Sequence, residues 1–386
     1  MINKKLTVIA LALTSVLAVG CASKNKAIVA ETKPLPLQKL EHVQIALHEV
    51  ASYSTSSYKN DDRLGLRMQS LAGVDYIVDR KGEVSAYQGK QRVWQNRVSK
   101  KGLTAGVEVK NGAVIVANAD GQIFALNQQT GEVRWTAQIA SAVLTPSLIV
   151  NTTVVTLSND GTVYGHSLES GQKLWAYKLA DVEFSLRGQA KPIALDQRQV
   201  LVASSSGQVY VLDSLTGLVA TQFRAAESSG RSQINRLIDV DGEPIYLPAE
   251  QALITTGFQG QLARTNLVTQ RQEWLVDISS SQSPATDGKE RVFVSASNGK
   301  LAAYHLATGR ELWVNEQLLR RKLSNPVWFN GVLVVGDLDG ILHIINAETG
   351  EFIGRAKAKG AIKNLTVDGD KLIVSSSSGD ISVWKF

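Results

Sequence analysis

The chain has 386 residues, of which 31 are glycine, 20% are charged and 6% are aromatic. Many glycines with few aromatics suit a soluble, turn-rich β protein and exclude a disordered chain or a multi-span membrane protein. The formal charge of +6 comes without any Lys/Arg run, which argues against a dedicated nucleic-acid surface.

The first element is a secretory signal. Lys4 and Lys5 form its basic region, an apolar run spans residues 6–19, and small residues lead to Cys21, a stretch too short for a spanning helix. Removing residues 1–20 leaves 39 basic and 35 acidic residues, a net charge of +4. Cys21, the single cysteine, directly follows Leu17-Ala18-Val19-Gly20. This resembles the lipobox of bacterial lipoproteins, with Ala18 where Leu is more usual, and implies that the Cys21 thiol carries the lipid. An incidental buried thiol is the weaker reading, because the sole cysteine closes the apolar run. Ala22 at the next position implies sorting to the outer membrane. Residues 21–40, with Pro34 and Pro36, are expected to form a lipidated flexible tether.

From residue 41 to the C-terminus the organisation is repetitive. Eight copies align on Gly82, Gly121, Gly161, Gly207, Gly260, Gly299, Gly340 and Gly379, spaced by 39, 40, 46, 53, 39, 41 and 39 residues. A period near forty is that of a four-stranded propeller blade. The best-kept copy runs Asp120-Gly121-Gln122-Ile123-Phe124-Ala125-Leu126-Asn127, then Thr130-Gly131, then Trp135. Its period-two alternation buries one strand face between neighbouring sheets. In two other copies Thr221 and Gly354 replace the tryptophan, in another Gln270 replaces the second glycine, and the first copy is two residues short before Trp94. The expected fold is therefore an all-β, eight-bladed β-propeller over residues 41–386. The last copy ends at Phe386 before an outer strand can form, so residues 42–48, which alternate like a strand, are expected to pair beside it and close the ring.

Trp94, Trp135, Trp175, Trp274 and Trp313 occupy the corresponding position in five copies. A binding cage would not need them in so many blades, whereas packing between blades would.

The search for chemistry finds little. The frame Ala-Leu-Asn-x-x-Thr-Gly-x-x-x-Trp resembles the repeats of quinoprotein dehydrogenases, which would imply an enzyme using pyrroloquinoline quinone. The vicinal cysteine pair and the added length that this family devotes to its cofactor are missing, so no cofactor is expected. The five histidines, His42, His48, His166, His305 and His343, lack metal-ligand spacing, and no metal is expected. A carbohydrate-binding propeller is a further alternative. The two longest spacings carry Asp181-Val182-Glu183-Phe184-Ser185-Leu186-Arg187-Gly188 and Ser232-Gln233-Ile234-Asn235-Arg236-Leu237-Ile238-Asp239-Val240-Asp241-Gly242. Two readings of these insertions stand: an interface with apolar anchors and a charged rim, or loops that Phe184, Leu186, Leu237 and Ile238 pack down onto the disc.

Three stretches carry a more specific resemblance: Phe184-Ser185-Leu186-Arg187-Gly188; Arg236-Leu237-Ile238-Asp239-Val240-Asp241; and Leu318-Leu319-Arg320-Arg321-Lys322-Leu323-Ser324-Asn325-Pro326 with Gly331-Val332-Leu333-Val334-Val335-Gly336-Asp337. Over the whole mature chain the sequence is similar to the BamB family of lipoproteins in the β-barrel assembly machinery. The resemblance implies a non-catalytic scaffold at the periplasmic face of the outer membrane, which binds the periplasmic repeats of BamA and assists insertion of β-barrel proteins. Unfolded outer-membrane proteins are a second expected class of partner. The contact positions it implies are Leu186, Arg187, Asp239 and Asp241, with Phe184 where the family commonly has Leu. Arg187 would make charge-assisted bonds, and the two aspartates would pair with basic groups or orient their loop.

Overall fold

Eight antiparallel sheets follow one another around a ring in this computed structural model, which describes residues 33–40, 42–56, 65–180, 190–204, 207–224, 242–257 and 260–386. Blades 1 to 7 comprise residues 69–97, 105–138, 148–178, 193–224, 245–276, 285–315 and 327–357, each with four strands, a to d, in chain order. Contacts between the a strands of successive blades, such as Gln69–Leu71 with Ala105–Lys110 and Val327–Phe329 with Ile362–Asp368, place strand a nearest the axis. Strand d is outermost, and its burial alternates, as in Val133–Gln138, with Trp135 and Ala137 facing inward. The b and c strands are buried along most of their length, as in Ala113–Ala117 and Gln122–Asn127.

Each repeat glycine lies in the turn between strands b and c. The b–c turns and the d-to-a connections therefore share one face of the disc, and the a–b and c–d turns share the other. Where it is kept, the second glycine of a repeat lies in a c–d turn, and its reason is steric. A Cβ on Gly131, Gly171, Gly217, Gly309 or Gly350 would fall within 2.4–2.8 Å of the indole of Trp94, Trp135, Trp175, Trp274 or Trp313 respectively, each on the preceding blade. The same indoles donate their Nε1–H across the blade boundary to the carbonyls of Gln128, Leu168, Ser214, Leu306 and Ala347, at 2.8–3.0 Å. The tryptophans are inter-blade staples, as the repetition required.

The degraded copies obey the same rule. Blade 4 has Thr221 instead of tryptophan, which leaves room for a side chain on blade 5. Gln270 occupies it, with φ at +56°, and its amide donates to the Thr221 hydroxyl at 2.6 Å. On blade 7, Gly354 faces the N-terminal segment: a Cβ there would lie 2.2 Å from the Ile45 carbonyl oxygen.

Blade 8 contains Ile362–Asp368, Lys371–Ser376 and Asp380–Lys385, and its outer strand is His48–Ser54, antiparallel to the C-terminal strand from His48↔Lys385 to Ser54↔Asp380. The N-terminal segment thus closes the ring, but the pairing strand differs from the expected residues 42–48. Their alternation serves packing instead. Leu47, 5% exposed, enters the core between blades 7 and 8 with Ile45 beside it, and the N–H groups of Gln44 and Ile45 both donate to the Ile353 carbonyl. Tyr53 completes the joint by donating to Asp75 at 2.8 Å and reaching the Gly89 carbonyl of blade 1 at 3.0 Å.

Residues 33–40 also depart from the expected flexible tether, because they lie along blade 7. The Leu35 N–H donates to the Leu319 carbonyl, and Leu37 packs against the core shared by blades 6 and 7. Beneath them Arg321, 4% exposed, donates to Asp337 at 2.8 Å and to the Leu35 carbonyl at 3.0 Å. His343 donates from Nε2 to the same carboxylate at 3.0 Å. Burial alone would raise the Asp337 pKa, but bonds from His343, the Ile341 N–H and Arg321 bring it down to about 2.

The staple rule predicts paired behaviour in thermal or urea unfolding. Trp175→Ala should cost about 3–5 kcal/mol and Gly217→Ala about 1–3 kcal/mol. Thr221→Trp should destabilise alone and be rescued by Gln270→Gly; absence of that rescue would refute the steric account.

Candidate partner-binding face

The d-to-a connections of blades 3–4 and 4–5, residues 179–192 and 225–244, are the two longest between described strands of successive blades. Both begin and end on the face shared with the b–c turns. Phe184, Leu186, Arg187, Asp239 and Asp241 belong to these connections and lie outside the described residues, as does Cys21. What is described is the floor between the ends of the two connections.

That floor is a charged mouth at the axis. Lys191, near the end of the first connection, bonds the Glu108 carboxylate of blade 2 at 2.6 Å, with side-chain exposures of 18% and 6%. The other oxygen of Glu108 accepts the Ile149 N–H of blade 3 at 3.1 Å, so one carboxylate ties three blades. Glu243, at the end of the second connection, pairs with Arg67 at 2.7 Å, joining blade 5 to the segment entering blade 1 on the opposite side of the ring. The Glu243 N–H donates to Ser283 Oγ at 2.8 Å. Burial would raise the Glu243 pKa, but the charge and hydrogen bond of Arg67, with Lys191 behind it, hold it below the usual carboxylate range.

Arg67 is carried by a segment that the repeat does not contain. Gly65 and Leu66 pair in parallel with Ala105 and Gly106 of blade 2. A Cβ at Gly65 would lie 2.5 Å from the Leu144 carbonyl oxygen, so only glycine lets the backbone pass there. This segment and the two ion pairs lie at the axial mouth. A quinone cofactor of the quinoprotein type finds no vicinal cysteine pair to flank its ring, since Cys21 is the single cysteine.

The sequence signals sort differently. The histidines in repeat strands are structural: His343 bonds Asp337, and His166, 2% exposed, stacks on Tyr164 with centroids 6.2 Å apart. Among the described residues no group of three or more His, Cys, Asp or Glu is gathered as a metal would require. The third stretch of resemblance lies away from the two connections. Arg321 and Asp337 build the dock for residues 33–40, and Asn325 bridges blade 7 to blade 8 by exchanging two bonds with the Leu365 backbone, at 2.8 and 2.9 Å. Arg67, Glu108, Lys191 and Glu243 went unnoticed in the sequence, having no repeat spacing to mark them.

An eight-bladed propeller of quinoprotein-like repeats, with two enlarged connections flanking blade 4, is the class of protein that the fold defines. The family described as outer membrane protein assembly factor BamB matches residues 80–315, more than half the chain, and the chain belongs to that family. Among curated relatives, the BamB of Yersinia pestis is 28% identical over 361 residues, 90% of each chain. That of Escherichia coli K12 is 27% identical over 323 residues, 80% of this chain and 81% of the relative. The crystal structure of BamB from Moraxella catarrhalis superposes with a TM-score of 0.81 at 34% identity, covering 88% of this chain and all of that one.

Two outcomes follow from the charges. Lys191→Met should leave Glu108 buried without a counter-ion and cost about 3 kcal/mol. Adding Glu108→Gln should recover most of this in urea unfolding, because the amide oxygen can still accept the Ile149 N–H. Burial, with the charge of Lys173 beside it, brings His166 from 6.5 down to about 4. The unfolded chain therefore binds a proton that the folded chain refuses between those values. The stability held above pH 6.5 should fall by roughly 3 kcal/mol as pH drops to about 4, and His166→Phe should flatten that part of the profile.

Proposed function

We propose that this chain is a non-catalytic scaffold subunit of the machinery that assembles β-barrel proteins in the outer membrane, and that it binds the periplasmic part of BamA. Membership of a family named for outer-membrane protein assembly supports the process. One observation carries the site: the two longest d-to-a connections begin and end on the same face of the ring, flanking blade 4. Extra length in a propeller loop has no role in the blade itself, and loops held on a stiff frame are where recognition concentrates.

In this reading Phe184 and Leu186 anchor the contact and Arg187 bonds a carboxylate or carbonyl of the partner. Asp239 and Asp241 complement its basic groups. The chain is held at the periplasmic face of the outer membrane by lipid on Cys21; among the described residues no helix is long and apolar enough to cross a membrane. Unfolded barrel proteins are transient clients of the assembly. The missing vicinal cysteine pair supports a scaffold over a quinoprotein-like enzyme, and binding at the rim needs no central cavity.

The test is co-purification of BamA with wild type and with the Leu186→Ala/Arg187→Ala variant, whose fold is checked by circular dichroism. Loss of two anchors should weaken binding by at least ~2 kcal/mol, roughly thirtyfold. Undiminished capture by a folded variant would remove the assignment of the site, and failure of wild type to capture BamA would remove the scaffold reading.

A further inference from the structure

The course of residues 33–45 decides on which face of the disc the N-terminus emerges. Strand d of blade 7, Phe352–Lys357, rises from the c–d face to the d-to-a face. The N-terminal segment runs beside it in the opposite sense. Ile45 and Gln44 are bonded to Ile353 near the c–d face, and Gln38 accepts from Arg355 midway. Leu35 and Lys33 meet Leu319, Arg321 and Arg320 in the connection on the d-to-a face, where Arg320 Nε donates to the Lys33 carbonyl at 2.6 Å. Three arginines thus hold three carbonyls of a segment stiffened by Pro34 and Pro36, and Leu37 fastens its middle.

We infer that this strap turns the d-to-a face, the face carrying the two enlarged connections, toward the lipid surface. The inference rests on the reading that Cys21 carries the anchor. The 12 residues from Cys21 to Lys33 span at most about 40 Å however they are arranged, at ~3.5 Å per residue. They start from the d-to-a face. Without the strap the first fixed point would be Gln44 on the opposite face, and the leash would roughly double, to about 80 Å. Such a leash could pass around the rim and leave either face toward the membrane; the docked one cannot do so equally. The strap converts a lipid anchor from a tether into an orienting device. Anchor and partner-binding connections then lie on one face, blade 7 bearing the leash and blades 3 to 5 the connections across the ring.

The experiment uses the full lipidated chain on phospholipid vesicles with nitroxide-labelled headgroups. A fluorophore is attached at Ser297→Cys, an exposed b–c turn position of blade 6, or at Ala307→Cys, exposed in the c–d turn of the same blade. The two differ in face and not in position around the ring. The Ser297 position should be quenched several-fold more than Ala307, and Leu37→Asp with Arg320→Ala should abolish the difference while vesicle binding and thermal unfolding persist. Arg320→Ala alone, which removes a surface bond, should reduce the difference and provides the readout if the double variant fails to fold. Equal or reversed quenching in bound wild type would overturn the orientation and leave the anchor standing. A chain that does not bind vesicles would overturn the anchor and this inference with it.

Discussion

The contact of one tryptophan with one glycine, repeated across blade boundaries, is the constraint on which the ring depends. An indole lying across the seam buries a large apolar surface and directs its single donor to a carbonyl of the next blade. The opposing turn can accept it only if it has no Cβ. Five seams are made in this way, each contributing on the order of the 3–5 kcal/mol that truncating a buried tryptophan costs. Because neighbouring blades share these contacts, the sheets stack into one stiff body and not a string of independent units.

The irregular seams follow from the same geometry. Where blade 4 lacks the indole, blade 5 no longer needs glycine, and the Gln270 amide reaches the Thr221 hydroxyl. Where blade 7 lacks it, the polypeptide itself fills the space, with Ile45 against Gly354 and Leu47 in the core. The seam between blades 7 and 8 is therefore assembled from both ends of the chain. Its strand pairing and its side-chain packing come from different parts of the N-terminal segment, which is why residues 42–47 alternate like a strand without being one.

This division also explains what could be read from the residues alone. The glycine spacing gave the blade number, and the tryptophan positions gave the seams, because both recur. The place where the closing strand begins did not recur; it depends on Leu47 entering a core that exists only after the ring closes. The strap of residues 33–40 looks like a linker because proline and lysine interrupt any pattern. Its partners, Arg320, Arg321 and Arg355, are nearly 300 residues away or more. Of the site, the enlarged connections were legible as departures from the period. The charges beneath them were not, since Arg67, Lys191 and Glu243 occupy segments outside the blades and Glu108, though in a blade strand, has no counterpart that recurs.

Those charges follow from a geometric residue of the fold. Eight sheets arranged about an axis converge on their innermost strands, and segments between blades meet there. Backbone at residues 65–66 pairs with the inner strand of blade 2, and the Lys191–Glu108 and Arg67–Glu243 pairs lie near it. Their weights differ with burial. The Arg67–Glu243 pair, with about a third of each side chain exposed, is worth no more than ~1 kcal/mol. Glu108 is almost fully enclosed, and its two oxygens are taken by Lys191 and the Ile149 N–H. The mouth therefore adds modest stability at its wet edge and a fixed geometry deeper in. Lys191 and Glu243 are the penultimate residues of the two enlarged connections, so that geometry fixes where each connection rejoins the disc. For a partner gripped by loops, a rigid origin is what limits the entropy lost on binding, and the ring supplies it through residues that need not touch the partner.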